Sequence, residues 1–496
     1  MRKLTGRSII TSDVSHDELH DKDMLCEVIN QSYVRHLNNK SDIDWLKNYK
    51  RGIQPVLEKT KAVRSEINNK LVINHAQMIT RNIVGYFLGN PIQYIQNGYS
   101  DKKDEIDLLN RYVQYEDKAS VDRELGEYQS ITGTAYRIIY KDGEFEDEIP
   151  FEDRALDPST TYVVYQNGIT ETPLVAVTYH GTYNLEGEYE GNRLFAYTRH
   201  GVYTIQTDDS GEATVEGIVD FTPYNVNGIP IIEYPNNMWR IGDWELAIGL
   251  MDAINDLHSG RLDDIDQIVQ SLLVFINAEI DGETYDEMRD KGAVMLKNTT
   301  GAPTGVESIN NALDQTGMNM FAEELEDLLY AIIGIPSRNK RSGGGGDTGQ
   351  AVELRDGWAD LEIIARNKEL TFKKAEKRAL KIILSMFNSH ENKDLSLLDL
   401  DIKFSRNKTN NLLVKTQAYQ TLLSTKTLSP GDCLSIVDLV SDVNEYMARG
   451  EEFWGEQFGQ IKPTKSGFGG GVPNDYGEID SQSNDNIGND DSQDED

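Results

Sequence analysis

The chain has 496 residues, 38% of them hydrophobic, enough to bury a sizeable core and divide into two or more domains, which excludes a disordered scaffold. Its 83 acids against 49 bases give a formal charge of -34, which excludes a tight, sequence-reading DNA binder with a basic face. No apolar run approaches the roughly 20 residues of a bilayer span, the N-terminus lacks an apolar signal core, and only Cys26 and Cys433 are present, so we expect an intracellular protein without membrane association or disulfides.

In chain order, a polar helix is expected from about Asp13 to Asn39, then a turn and WLKNYKRGIQPVL. Ile73, Ala76, Ile79, Ile83 and Phe87 recur at helical spacing until Gly89, Asn90 and Pro91 stop the run, which predicts a buried helix. A further helix is expected over 102–132, leading into TAYRIIYKDGEFE, where alternation around Asp142 and Gly143 predicts a hairpin. From Asp147 to Glu233, β-branched and aromatic residues broken by NG, HG, SG and EG pairs predict an antiparallel sheet, so the first region, 1–235, is an α+β domain. Apolar residues from Trp244 to Val269 then repeat every three or four positions, with Asp252, Asp256, Asp263, Asp264 and Asp266 mostly on other faces. SLLVFIN and AVMLKN are strand candidates around the small helix TYDEMRDK. A second long helix runs from Leu313 to Ile332 and a third over 350–388, with Gly357 as its soft point. DIKF at 401–404 is a short strand that completes the earlier sheet in one arrangement. A helical stretch over 408–458, interrupted at Ser429, Pro430 and Gly431, precedes a tail expected to be disordered, whose last 23 residues carry -9 of the charge and leave -25 on the rest.

The most informative segment is PSRNKRSGGGGDTGQA, 336–351, between the second and third long helices. Gly343, Gly344, Gly345 and Gly346 make it costly to order, and Arg338, Lys340 and Arg341 just before them suit transient contact with a polyanion. The competing reading is an exposed loop whose cations are merely solvated. Its surroundings favour a role, because 338–381 holds eleven bases and seven acids inside an acidic protein.

Candidate chemistry falls away on inspection. Gly344 to Gln350 has the GxxxxG half of a phosphate loop, but Gln350 stands where Lys is required and a helix precedes it. HDELH spaces His16 and His20 one turn apart without the glutamate of HExxH. The acid clusters DDID, 263–266, and EELED, 323–327, have no paired base and read as solvated helix faces. No catalytic residue, metal ligand or cofactor is expected, and the chain reads as a non-enzyme.

Four stretches carry a likeness to a known family: WLKNYKRGIQPVL with NNKLVINHAQMITRNIVGYFLGNPIQY (45–94), NGIPIIEYPNNMWRIGDWELAIGLMDAINDLHSGRLDDIDQ (227–267), TGQAVELR (348–355) and FSRNKTNN (404–411). The sequence resembles tailed-bacteriophage portal proteins of siphophages that infect Gram-positive hosts. The resemblance implies a ring of about twelve copies around a channel for double-stranded DNA, in the virion at the capsid's portal vertex and in host cytoplasm during assembly. It also implies an α+β portal fold: a wing over 1–235, stem helices over 236–269 and 313–335, and a clip over 270–312. A tunnel loop over 336–349, a long bent helix over 350–388, a returning wing strand over 389–407 and a helical crown over 408–458 complete it, with the acidic tail at 459–496. The implied partners are the terminase large subunit, a head-completion or connector protein, and the scaffolding and major capsid proteins. In this frame Arg338, Lys340 and Arg341 contact the DNA backbone. A non-channel capsid or adaptor protein and, more remotely, a nucleotide-binding enzyme using the glycine loop are the alternatives.

Overall fold

A computed structural model describes residues 6–453 except 63, 98–99, 142–148, 208–210, 225, 227, 270–272, 277–304, 309–314, 337–357, 407–411, 426, 438–445, 448 and 451–452. The chain separates into two units, Met1–Leu413 and Val414–Asp496.

The first unit opens with β1 (Ile10–Ser12), a 3-10 turn at Glu18–His20 and α1 (Lys22–Lys50). Asp21 caps α1 by accepting from the Asp23 amide at 3.0 Å. No turn interrupts α1 near Asn39, because Ile43, Leu46 and Tyr49 continue its buried stripe. After an extended segment come α2 (His75–Phe87), capped by Asn74, and β2 (Gln93–Gln96). The single helix expected over 102–132 is two, α3 (Lys103–Tyr115) and α4 (Lys118–Thr132). The break falls at Asp117, whose φ of 51° is a left-handed conformation that Asp tolerates better than most residues.

β3 (Thr134–Tyr140) and β4 (Glu152–Leu156) pair antiparallel, while the expected Asp142–Gly143 turn lies outside the described residues. β5 (Thr161–Gln166), β6 (Thr172–Tyr183), β7 (Tyr189–Tyr197), β8 (Gly201–Gln206) and β9 (Ile218–Pro223) form an antiparallel meander, and β1 adds to its edge in parallel with β5. β10 (Ile231–Pro235) returns beside β3, so the region holds two sheets. One face of the six-stranded sheet buries Leu25, Val28 and Ile29 of α1; the other packs Val163, Tyr165 and Ala176 against Tyr136, Ile138 and Ile231 of the three-stranded sheet.

Beyond the sheets lie α5 (Ile248–Val269), a ribbon of β11 (Leu273–Ile276) and β12 (Gly305–Ser308), and α6 (Gln315–Ile333). SLLVFIN thus supplies a strand, but its partner is GVES; AVMLKN and TYDEMRDK lie outside the described residues. α7 (Trp358–Glu391) is 34 residues long, and both 350–357 and its expected soft point lie outside the described residues. β13 (Leu400–Lys403) pairs antiparallel with β2 as a separate ribbon and does not join either larger sheet. The largest core gathers Ile79, Ile83 and Phe87 of α2, Met251 and Ile254 of α5, Leu329 and Ile333 of α6, and Phe372, Ile383 and Phe387 of α7. No helix among the described residues is long and apolar enough to cross a membrane.

α8 (Leu412–Ser424), which begins at the boundary between the units, leads into the second unit, where α9 (Pro430–Val437) follows. Pro430 opens α9 at the first helical position, and Ser429 and Asp432 cap it reciprocally, with the Asp432 amide donating to Ser429 Oγ at 3.1 Å.

Candidate functional site

The ten residues Asn236–Glu245, which join β10 to the helical half of the first unit, are held on every side. The side-chain amides of Asn236 and Asn237 donate to the Ile241 carbonyl at 2.9 and 2.8 Å, and Asn237 Oδ1 accepts from the Trp239 and Ile241 amides at 3.1 Å. Arg240, with a left-handed φ of 53°, grips Glu233 with two bonds of 2.6 and 2.9 Å, and Glu233 also accepts from Tyr165 and Thr134. Asp243 pairs with Lys368 of α7 at 2.9 Å, and Glu245 with Arg7 at 2.6 Å. Trp244, fully buried, stacks on Tyr49 and donates to Thr80 Oγ1 at 3.0 Å. Gly133 faces this loop so closely that a Cβ would lie 2.0 Å from the Arg240 carbonyl, so no larger residue fits. Removing one member of any of these buried pairs strands a charge, at about 3–5 kcal/mol. The joint is therefore stiff.

A second buried cluster ties α7 to the sheets. Arg137, alone among the apolar residues of β3, donates from Nε to Asp153 at 2.6 Å and from Nη1 to Glu376 of α7 at 2.9 Å. Lys118 bridges Asp122 at 2.5 Å and Glu376 at 3.1 Å, while the Tyr94 and Tyr234 hydroxyls donate to Glu376 at 2.6 and 2.7 Å. Burial, with Glu376 adding to it, pushes Asp122 up to about 6 against the pull of Lys118; burial of Glu376 is outweighed by Lys118 and Arg137, which hold it well below the carboxylate range. Three carboxylates, Asp122, Asp153 and Glu376, face two cations, Lys118 and Arg137.

A third arrangement overturns the solvated reading for Asp263, whereas Asp256 and Asp266 on the same helix are exposed. Asn255, Ser259 and Asp263 stand four residues apart on one face of α5 and accept from the backbone amides of Ile73, Leu71 and Asn69 at 2.8, 3.0 and 2.6 Å. Four helical residues rise about 6 Å and two extended residues about 6.6 Å, so the helix matches every second amide of an antiparallel extended segment. Asp263 Oδ2 also receives Lys61 at 2.7 Å and Lys59 at 3.1 Å, and Asp252 accepts from Tyr49 at 2.8 Å. Polar side chains at helical spacing were the available signal; the partner was not deducible from sequence.

The helix that precedes the glycine-rich segment ends in an ordered cap. α6 ends in a left-handed Gly334 (φ 72°), the Ile335 amide donates back to the Tyr330 carbonyl at 3.0 Å, and a Cβ on Gly334 would lie 2.7 Å from Ile364 Cδ1 of α7. Arg338, Lys340, Arg341 and Gly343–Gly346 lie outside the described residues, as does the GxxxxG segment. The α7 cations divide: Arg366 pairs with Glu362, Lys368 with Asp243 and Lys373 with Glu369, whereas Lys374, Arg378 and Lys381 form no ion pair among the described residues. His20 lies against His200 with ring centroids 4.3 Å apart, and among the described residues no group of three or more His, Cys, Asp or Glu is placed to hold a metal.

Residues 30–462 match the family described as phage portal protein, SPP1 Gp6-like. The chain belongs to that family. Portal proteins of this kind are structural virion components that act as rings of identical copies, and no enzymatic activity attaches to the family. Two solved chains, described as the neck of an empty GTA particle computed with C6 symmetry and of a native GTA particle computed with C12 symmetry, are each 13% identical. Each alignment covers 74% of this chain and 90% of the other, with TM-scores of 0.43 and 0.41. No curated protein matches the sequence.

Within the α+β portal fold, two of the four family-like stretches form one physical unit. The amides that α5 captures belong to 45–94 and the capturing side chains to 227–267. The third lies outside the described residues. In the fourth, Phe404 stacks on Phe87 at 5.4 Å and meets Phe372 edge-on at 5.8 Å, and Arg406 pairs with Glu362 at 3.1 Å and with Glu369, so this portal protein fastens its β13 end to α7.

Proposed function

We propose that about twelve copies form a ring at one capsid vertex, that double-stranded DNA enters and leaves through the bore, and that the ring docks the terminase large subunit and then a head-completion connector. The single observation that carries this is the family match over 30–462. In this assignment residues 1–235 and 389–407 are the wing, 236–269 and 313–335 the stem, 270–312 the clip and 408–458 the crown. Scaffolding and major capsid proteins surround the ring.

Arg338, Lys340 and Arg341 touch the DNA backbone in turn, and Gly343–Gly346 let the loop follow it. An acidic protein repels phosphate, so a duplex slides without capture, and one ring of weak cationic contacts steadies it. The anchored flank at Gly334 supports this role, because it gives the loop a fixed base. Replacing all three cations by Gln is expected to reduce DNA packaging or retention while ring assembly, seen in axial images of purified particles, stays intact. Unchanged packaging and retention refute the loop's role, and particles without a bore refute the channel.

A further inference from the structure

The six-stranded sheet carries complementary surfaces at its two ends. At one end, the β6–β7 hairpin projects a fully exposed Leu185 between exposed Tyr183 and Tyr189. Asn184 orders the turn: its Oδ1 accepts from the amides of Glu186 and Glu188 at 3.0 and 2.8 Å. Glu186, Glu188 and Glu190 surround the tip and form no ion pair among the described residues. The tip is thus an ordered, acidic, apolar knob.

At the other end two adjoining cavities of about 680 and 300 Å³ share Tyr165, Glu233 and Arg378 in their walls and form one trough. Met238 and Trp239, 73% and 63% exposed, supply its apolar side, and the stiff joint described above holds them in place. Lys374, Arg378, Lys381 and Arg199 supply its positive charge and form no ion pair among the described residues, while its lining acids are Glu171 and the Arg240-bound Glu233. In a chain of formal charge -34, four such cations in one trough call for an anionic occupant.

Thr172 and Pro173, where β6 begins, line the trough, and Tyr183, where β6 ends, bears the hairpin. Twelve strand residues span roughly 36 Å, so a rigid sheet keeps a chain's own knob out of its own trough. Complementary patches at opposite ends of one rigid element drive head-to-tail association, which closes into a ring when the rotation per copy allows. We propose that the β6–β7 hairpin of one copy seats in the Trp239–Arg378 trough of its neighbour, with Leu185 against Trp239 and Met238 and the three glutamates facing Lys374, Arg378 and Lys381. This rests on the ring reading and adds to it a specific contact between neighbouring copies.

The test uses the full chain carrying Leu185→Cys together with Trp239→Cys and a short bismaleimide; the native Cys26 and Cys433 are buried. A ladder of covalent multimers is expected on a denaturing gel, with neither single variant giving one. Separately, Lys374→Glu, Arg378→Glu and Lys381→Glu together should raise the protein concentration needed for assembly at least tenfold. Adding Glu186→Lys, Glu188→Lys and Glu190→Lys to the same chain should restore it. Rings that form without a ladder and ignore both charge reversals overturn the contact and leave the ring standing, as expected if another capsid protein occupies the trough. A native chain that stays monomeric overturns the ring reading itself. Should the reversed chain misfold, the cysteine pair still decides.

Discussion

Asp263→Ala removes the lowest rung by which α5 holds the extended segment ending at Ile73. Asp263, with its side chain 1% exposed, accepts from the Asn69 amide at 2.6 Å, the Asn69 side chain at 3.1 Å, Lys61 at 2.7 Å and Lys59 at 3.1 Å. The stranded amide costs about 1 kcal/mol, and losing the two lysine contacts costs about 2 kcal/mol together, discounted because both lysines are partly exposed and turn to water. The expected total is about 3 kcal/mol, a roughly hundredfold rise in local opening, read as faster hydrogen exchange at the Asn69 and Leu71 amides. Asp264→Ala, one residue along, should change exchange little. The carboxyl adds a pH signature: burial pushes it up, but hydrogen bonds from Lys61, the Asn69 amide and Lys59 outweigh burial and hold it well below the carboxylate range. Its stabilisation is therefore complete above the unfolded value near 4 and fades as pH falls below it, so the gap between native and Asp263→Asn proteins should narrow from pH 7 to about 3. Native-like exchange in Asp263→Ala, or a gap that does not change with pH, refutes the ladder as a source of stability.

Gly334→Ala places a Cβ 2.7 Å from Ile364 at a left-handed residue and should cost about 1–3 kcal/mol, read as a lower melting temperature; an unchanged melt shows that the α6 terminus relaxes freely. His36, buried against Tyr162 with its Nε2 3.1 Å from the Ser159 carbonyl, is pushed down by burial to about 4. Between pH 6.5 and 4 the unfolded chain takes up the proton that folded His36 refuses, so stability should fall by up to about 3 kcal/mol as pH drops through that window. His36→Gln should flatten this slope in denaturant titrations; an equal slope in both proteins sinks the assignment.

Sequence alone determined the elements that rest on local periodicity. The apolar stripe from Ile73 to Phe87, the β-rich stretch ending near Pro235 and the long helices on either side of 337–357 are each written as a repeat of 3.6 or 2 along a continuous segment. The four quoted stretches carried the family, and the two that meet at α5 do so through side chains already present in the string. What only the tertiary structure decided is where charge and hydrogen bonds go across long separations. Asp263 read as solvated because no Lys or His stands one helical turn from it; its partners Lys59 and Lys61 come from some two hundred residues earlier. β13 looked like a strand for the main sheet, yet it pairs with β2, because strand propensity says nothing about which edge is free. The α7 cations looked alike, but folding neutralises Lys368 and leaves Lys374 and Arg378 in an open trough. Periodicity is a property of neighbours along the chain, whereas an ion pair belongs to residues that meet only after the apolar faces have packed.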